Sequence, residues 1–441
     1  MQHSNKKSGL FNVHLPIIHL RIEWSLFIQG LIVSLSTALA LVPLLTISFG
    51  LSFEEAISMA MIHMLLVTSH IMVFGEPLAA GWITPALPFV LVLIASGYDS
   101  PTEKFQMMTA LSLDFAALTF FMSITKLGKK FCDFIPNAFK AAIILGAALS
   151  AYKRIFYDDA ATYASMPITF SLAMLACFII FYLPAFQTLK QKSKVCAKIA
   201  SLGLLPAFIV AGVFGWLANE LSFSIEMGFL IPPVGDLWSK VSPFAIGFPP
   251  LEYFITGLPI AFMAYLVLFG DMLTGSELIR EKQSYRPDDP IEMDINKTHL
   301  VVSIRNFLMA ILAPFFPTQG VLWAGAQVLV LDRWVEGKDK VESLLSGISA
   351  FYYYGIPVMF FILPVLTFLR PFMPLALMLT LFLTAVACSK LAFNMTKGHK
   401  EKAIMLIIAL LLVFFDPWVG LVVGCSFYLL SGTTKKLWIK R

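Results

Sequence analysis

Fourteen apolar stretches of membrane-spanning character follow one another along the chain, separated by short polar turns. They fall at 25–48, 54–74, 77–97, 105–125, 136–152, 167–186 and 198–218, then at 253–276, 298–316, 318–332, 343–367, 371–390, 402–415 and 417–432. A helix needs about 20 apolar residues to cross a bilayer, so the pattern predicts an all-α integral membrane protein of about fourteen spans. The midpoint lies near residue 220, which divides the spans into seven and seven. The expected organisation is an N-terminal segment 1–24, a first seven-span repeat 25–218, an external connection 219–250, a second repeat 251–432 and a short tail 433–441. The connection has room for one short amphipathic helix.

Both halves are punctuated alike. The third stretch opens Gly75-Glu76-Pro77 and continues Gly81-Trp82-Ile83-Thr84-Pro85, and the tenth opens Pro314-Phe315-Phe316-Pro317-Thr318-Gln319-Gly320. Proline and glycine there predict discontinuous third and tenth spans. An odd number of spans per half orients the halves oppositely, as in an inverted repeat. Paired broken helices at matching positions of two halves point to a transporter binding site; the alternative is that Pro and Gly only kink packed helices.

Charge sharpens the topology. With the N-terminus inside, 25 of the 32 basic residues fall in loops on the cytoplasmic side, as the positive-inside rule demands. Both termini are then cytoplasmic, and the expected location is the cell (inner) membrane. The formal charge of +5 needs no nucleic-acid partner. Only 13% of residues are charged and 58% are hydrophobic, against about 25% charged in a soluble domain, and mean hydropathy is +0.81. Residues 1–23 show no small-residue cleavage site, so the first apolar run is expected to be retained. The five cysteines are scattered, with no metal-ligand spacing. No HExxH, GxSxG or phosphate-cradling loop supports an enzyme, and no cofactor is expected.

Ionisable groups inside apolar stretches carry the functional expectation. Asp271 is placed to bind substrate and to couple transport to protons; its rival role is partner to Arg305 or Lys140, or a hydrated position near the cytoplasmic end. Asp114 and His63 are further coupling candidates. Glu76 either lines the cavity or sits where its helix starts. His63 and His70, seven residues apart, share a helix face: a proton relay or interhelical hydrogen bonds, but too few ligands for a metal. Arg305 is expected to pair with a carboxylate or snorkel. Two half-helix N-termini make an anion site, which predicts that 82–87 and 318–323 hold the substrate through Trp82, Thr84, Thr318, Gln319 and Gly320, unless those polar groups only cap their own helices.

The order Asp271, Asp294-Ile295-Asn296-Lys297, Asn306, Pro317-Thr318-Gln319-Gly320-Val321 resembles the SulP anion transporters. These have a carboxylate in the eighth span, a DPN-type start to the ninth, an Asn within it and a Pro-Thr-Gly break before the tenth. The nucleobase and ascorbate permeases, typified by the uracil permease, share that architecture. The motif match covers about 264–330. The resemblance implies a core and a gate domain, with substrate between spans three and ten against the eighth, and puts Asp271 in the place of the membrane carboxylate. Where SulP proteins have an Arg early in the tenth span and nucleobase permeases a Glu, this chain reads Trp323-Ala324-Gly325, and no STAS domain is expected.

The expected function is a secondary active transporter (a symporter) for a small anionic or polar organic solute, coupled to protons or sodium. It would be embedded in lipid, and a homodimer is compatible with it. An anion channel or uncoupled exchanger of the same fold is the alternative.

Overall fold

The computed structural model describes residues 9–15, 17–38, 40–353 and 358–430. The tail 433–441, the first residues of segment 1–24 and parts of the first and eleventh stretches lie outside the described residues. The described residues form helices without a named strand, because in hydrocarbon every backbone N–H and C=O must be satisfied within its own segment.

The first half runs α1 (Trp24–Ala38), α2 (Phe53–Met72), α3 (Leu87–Gly97), α4 (Pro101–Thr125), α5 (Gly128–Phe134) and α6 (Asn137–Lys153). It ends with α7 (Pro167–Tyr182), two short amphipathic helices α8 (Pro184–Lys192) and α9 (Lys194–Ser201), and α10 (Leu205–Leu217). Ser52 and Ser100 start α2 and α4 with reciprocal capping boxes to Glu55 and Glu103, so two orphan donors are satisfied at each start. After a connection holding α11 (Val234–Val241), the second half runs α12 (Leu251–Gln283), α13 (Ile295–Leu312), α14 (Ala324–Trp334) and α15 (Leu344–Tyr353). It closes with α16 (Leu363–Met395), which bends through a 3-10 turn at Arg370–Phe372, then α17 (Gly398–Phe414) and α18 (Pro417–Leu430).

Four helices (α2, α4, α12 and α16) are each long and apolar enough to cross a membrane. Others reach that length only with a bend, 91° between α5 and α6 and 60° between α7 and α8. The chain is an integral membrane protein.

Two packing groups are evident. In one, α4 lies against α12 and α13, with α2, α14 and α15 around them; in the other, α6 lies between α16 and α17, joined by α7, α10 and α18. The groups meet where α3 rests on α6 and where α16 passes the turn at Thr84–Ala86. Inside α12, Pro259 has no N–H to give the carbonyl of Ile255. The indole of Trp418 on α18 takes that acceptor at 2.8 Å, so a break in one helix ties the two groups together.

Three boundaries differ from the sequence reading. The eighth stretch runs on to Gln283, about two turns past 276. The eleventh does not reach 367, because Ile362 has extended backbone and Leu363 already begins α16. The tenth helix starts at Ala324, not 318, because residues 313–323, with a turn at 316–317, are held out of helix by contacts distant in sequence.

The charged segment after α12 folds back as a clasp. Arg286 is 1% exposed, and its guanidinium donates to the backbone oxygens of Trp334 (2.7 Å), Val341 (3.0 Å) and Glu342 (3.0 Å) while pairing with Asp288. It thus caps the C-terminal carbonyls of α14, where a cation is favoured, and stacks on the Trp334 ring at 5.3 Å. Asp289 accepts from the Trp334 indole and from the N–H of Leu344 at the start of α15. The ends of α12, α14 and α15 are therefore one unit. Replacing Arg286 with Ala strips charge-assisted bonds from buried carbonyls, each of about 1.5–3 kcal/mol. Expected in thermal unfolding of the purified protein is a clear fall in Tm, which Arg286→Lys does not restore because an ammonium lacks the planar fork.

Candidate functional site

Two extended segments, 76–83 and 313–323, interrupt the helices at the centre of the first packing group. Gly75, at φ 61, turns the chain out of α2, a conformation that costs a residue with a Cβ. The two segments then cross antiparallel: the N–H of Ile83 donates to the Pro317 oxygen at 2.9 Å and that of Trp323 to the Ala79 oxygen at 2.6 Å. At the crossing a Cβ on Gly320 would stand 2.8 Å from the Gly81 oxygen, and one on Gly81 would stand 2.9 Å from the Trp323 Cβ. Those glycines exist because two backbones touch there.

Side chains finish the hydrogen bonding that the missing helix turns leave open. The Gln327 amide accepts from the N–H of Ala79 at 2.6 Å and donates to the Pro77 oxygen at 3.4 Å, so it stands in for a neighbouring strand. The Tyr352 hydroxyl donates to the Ala80 oxygen. On the other segment, Asn306 donates to the Gln319 oxygen at 3.0 Å, and Arg305 donates to the Gly320 oxygen, the Gln319 side chain and, across to α2, the Leu66 oxygen. Arg305 is 0% exposed, and among the described residues no ion pair includes it. This corrects the expectation that it pairs with a carboxylate or snorkels. Neutral carbonyl and amide oxygens solvate it instead, because it is needed to hold backbone.

The sequence-predicted residues divide into two sets. Thr318 and Gln319 are fully buried and face α2: the Thr318 hydroxyl lies 2.7 Å from His63 Nδ1, and Gln319 Nε2 donates to the His63 oxygen at 3.3 Å. His70 lies 3.3 Å from Arg305. Glu76 is buried, accepts from the Thr298 hydroxyl at 2.6 Å and pairs with Lys297 at 3.3 Å. His63, His70, Glu76, Thr318 and Gln319 thus form a polar layer between α2, α13 and the crossing. Asp114 stands apart on α4, its Oδ2 without a hydrogen-bond partner and 3.0 Å from where a Cβ on Gly257 would sit.

The other set is half-buried and borders the crossing: Trp82, Thr84 and Asp271. Asp271 lies one turn before Gly275, whose Cα side packs on Leu78 and Leu322 of the crossing, and residues four apart share a helix face. No ion pair joins Asp271 to Arg305 or Lys140, and no hydrogen bond to its carboxylate is present among the described residues.

The start of α14 is open. Trp323 is the residue before it and gives no side-chain cap, so the N–H groups of Ala324, Gly325 and Ala326 have no partner within the helix. Ala324 and Gly325 are exposed. The Trp323 indole nitrogen lies 3.5 Å from where a Cβ on Gly325 would be, and the ring is held edge-on by Phe351 at 5.7 Å. Opposite, the helical turn at Thr84–Ala86 is followed by α3, and Pro85 and Pro88 remove two of its early donors. Thr84 keeps an uncommitted hydroxyl. The sequence reading did not single out Trp323, Gln327, Tyr352, Arg286 or Lys297 for these parts. Among the described residues no cluster of His, Cys, Asp or Glu could hold a metal ion.

Two broken helices cross at the centre of the first packing group of this helical membrane protein. No family model and no curated protein matches the chain in sequence. Among solved structures it is similar to the transmembrane domain of the cyanobacterium bicarbonate transporter BicA, at a TM-score of 0.59 and 15% identity, covering 94% of this chain and 100% of that one. It is also similar to the murine solute carrier 26 family member A9 anion transporter in its inward-facing state, at a TM-score of 0.50 and 12% identity, over 92% of this chain and 67% of that one. A structure of SLC26A9 aligns at a TM-score of 0.51 and 13% identity, over 93% of this chain and 64% of that one. The fold is that of the transmembrane domains of SulP-type anion transporters, as the motif resemblance implied.

The crossing leaves no room for a larger residue at position 320. Gly320→Ala is expected to lower both yield and Tm of the purified protein, since the added carbon meets backbone atoms that cannot move aside. An unchanged Tm would mean the two segments are farther apart than described.

Proposed function

We propose that the protein is a secondary transporter for a small anion, which binds where α14 begins. The observation that carries this reading is the open start of α14: three uncommitted backbone N–H groups, an exposed glycine and the Trp323 indole N–H converge on one spot. A helix N-terminus carries about half a positive charge. Thr84 supplies a hydroxyl from the facing segment, and Trp82 closes the side. The polar layer of Glu76, Thr318, Gln319, Gly320 and His63 lies behind this spot and keeps the segments in place. The charge of Arg305, without a carboxylate partner, adds a positive field from the rear.

Asp271 supplies coupling. An ionised carboxylate beside a bound anion is repelled across a medium of low dielectric. Anion and proton binding therefore favour each other, and by linkage each strengthens the other to the same degree. A carboxyl group free of partners at the junction of the two packing groups is suited to gain and lose that proton as one group moves against the other. Asp114 is a secondary proton site on the outer path. In this reading the fourteen stretches form two inverted repeats, 25–218 and 251–432, with 219–250 outside and both termini in the cytoplasm.

Two variants test the site and the coupling separately. A Cβ at Gly325 makes only ordinary contacts, at 3.5 Å or more, so Gly325→Ala should keep its Tm. It should nevertheless weaken anion binding, measured by thermal shift against inorganic anions and carboxylates, by about tenfold or about 1.4 kcal/mol. Undiminished binding in this variant would remove the α14 site. In proteoliposomes Asp271→Asn should retain anion exchange but lose acceleration by an inward pH gradient. A wild-type protein indifferent to that gradient would favour the uncoupled exchanger.

A further inference from the structure

The ends of the helices on the lysine-rich side divide by charge between the two packing groups. In the group built on α6, two segments reach that side. The first, α8 with α9, carries Lys190, Lys192, Lys194 and Lys198. The second, 390–402, precedes α17 and carries Lys390, Lys397, Lys400 and Lys402. Against these eight lysines stands one carboxylate, Glu401, a formal surplus of seven positive charges. The group built on α4 is close to balanced. It includes α5, which packs on α4 and α12, and its segments 126–134, 277–297 and 332–342 hold eleven carboxylates against ten basic side chains, several of which already pair, as Arg280 with Glu277 and Arg333 with Glu336.

The two lysine segments both adjoin α16: 390–402 begins in its last turns and leads into α17, and the α8–α9 link follows α7, which packs against α16. Each segment is a link between apolar helices, which fixes it at the depth of lipid headgroups. Each also exposes apolar side chains beside its lysines: Leu189 at 49%, Val195 at 68% and Leu391 at 50%. A basic helix with exposed apolar residues next to a bilayer binds at the interface, with its cations toward anionic headgroups. A soluble acidic protein or a nucleic acid would match the lysines but not the apolar residues between them.

We infer that the packing group built on α6 is a docking surface for anionic phospholipid, which binds along the rim formed by α8–α9 and the segment before α17. The nearly balanced end of the α4 group is not held in this way. If the transport reading above is right, the moored group is the stationary one, and the group carrying the crossing moves. Lipid binding itself does not depend on that reading.

The test compares two triple variants that each lose three positive charges. One is Lys190→Gln with Lys192→Gln and Lys194→Gln on the α8–α9 link; the other is Lys282→Gln with Lys338→Gln and Lys340→Gln on the opposite group. Phosphatidylglycerol binding to the purified full chain is measured by native mass spectrometry and by titration into neutral nanodiscs, with Tm as the check on folding. The expected result is a loss of at least about tenfold in phosphatidylglycerol affinity for the first variant, little change for the second, and a binding constant for the unaltered protein that falls steeply with salt. Equal losses in the two variants, or none in the first, overturn the proposal. So does tighter binding of a single-stranded oligonucleotide than of phosphatidylglycerol to the same rim.

Discussion

Backbone polar groups in hydrocarbon must find partners, and the extended segments 76–83 and 313–323 are where helices cannot supply them. Four buried polar side chains of the first packing group answer that single requirement. Gln327 and Tyr352 serve one segment; Arg305 and Asn306 serve the other. The cost of burying a guanidinium is several kcal/mol, and it is offset only because Arg305 satisfies oxygens from α2 and from the crossing together. The two segments also serve each other through two direct backbone bonds, which is why glycine stands at both 81 and 320.

Once both segments are pinned, the helices that follow them must begin at the crossing, and their first turns point into the gap. The two starts are not equivalent. Proline at 85 and 88 fixes the backbone for a turn but takes away donors, whereas Ala324-Gly325-Ala326 keeps all three and puts no bulk in front of them. In the proposed reading the two segments make a one-sided anion site, with the α3 side contributing a hydroxyl and the α14 side contributing N–H groups. Trp323 links the two roles: its backbone N–H closes the crossing, and its indole N–H points toward the open helix start.

Much of this arrangement could be read from residue order. The paired Pro and Gly punctuation, the lone carboxylate at 271 and the all-helical membrane class depend on local chemistry, and local chemistry is what a sequence displays. The break from Pro314 to Gly320 was legible, but not how far it runs: the apolar residues resume at Val321, whereas the helix begins only at Ala324. What keeps 318–323 out of the helix is the Ala79 oxygen, which takes the Trp323 N–H, together with Arg305 and Asn306, which hold the Gly320 and Gln319 oxygens; the first is distant in the chain, and the other two are seen from sequence only as polar residues inside an apolar run. Arg305 was assigned a carboxylate partner for a similar reason. Opposite charge is the commonest way to bury a cation, and a cage of carbonyl oxygens leaves no mark in composition. The buried lining of Thr318 and Gln319 is also invisible from order, since a polar residue at a break reads the same whether it faces a cavity or a neighbouring helix.

The charges that remain after this accounting set what the centre of the protein can hold. Arg305 is solvated by oxygens but not neutralised, Glu76 is matched by Lys297, and the helix starts add partial positive charge. In the reading proposed above, a bound anion and an ionised Asp271 would share one low-dielectric gap, so the doubly negative state would be the expensive one. That exclusion needs no direct contact between substrate and Asp271. It needs only that both lie in the same low-dielectric gap, on the face of α12 that packs against Leu78 and Leu322.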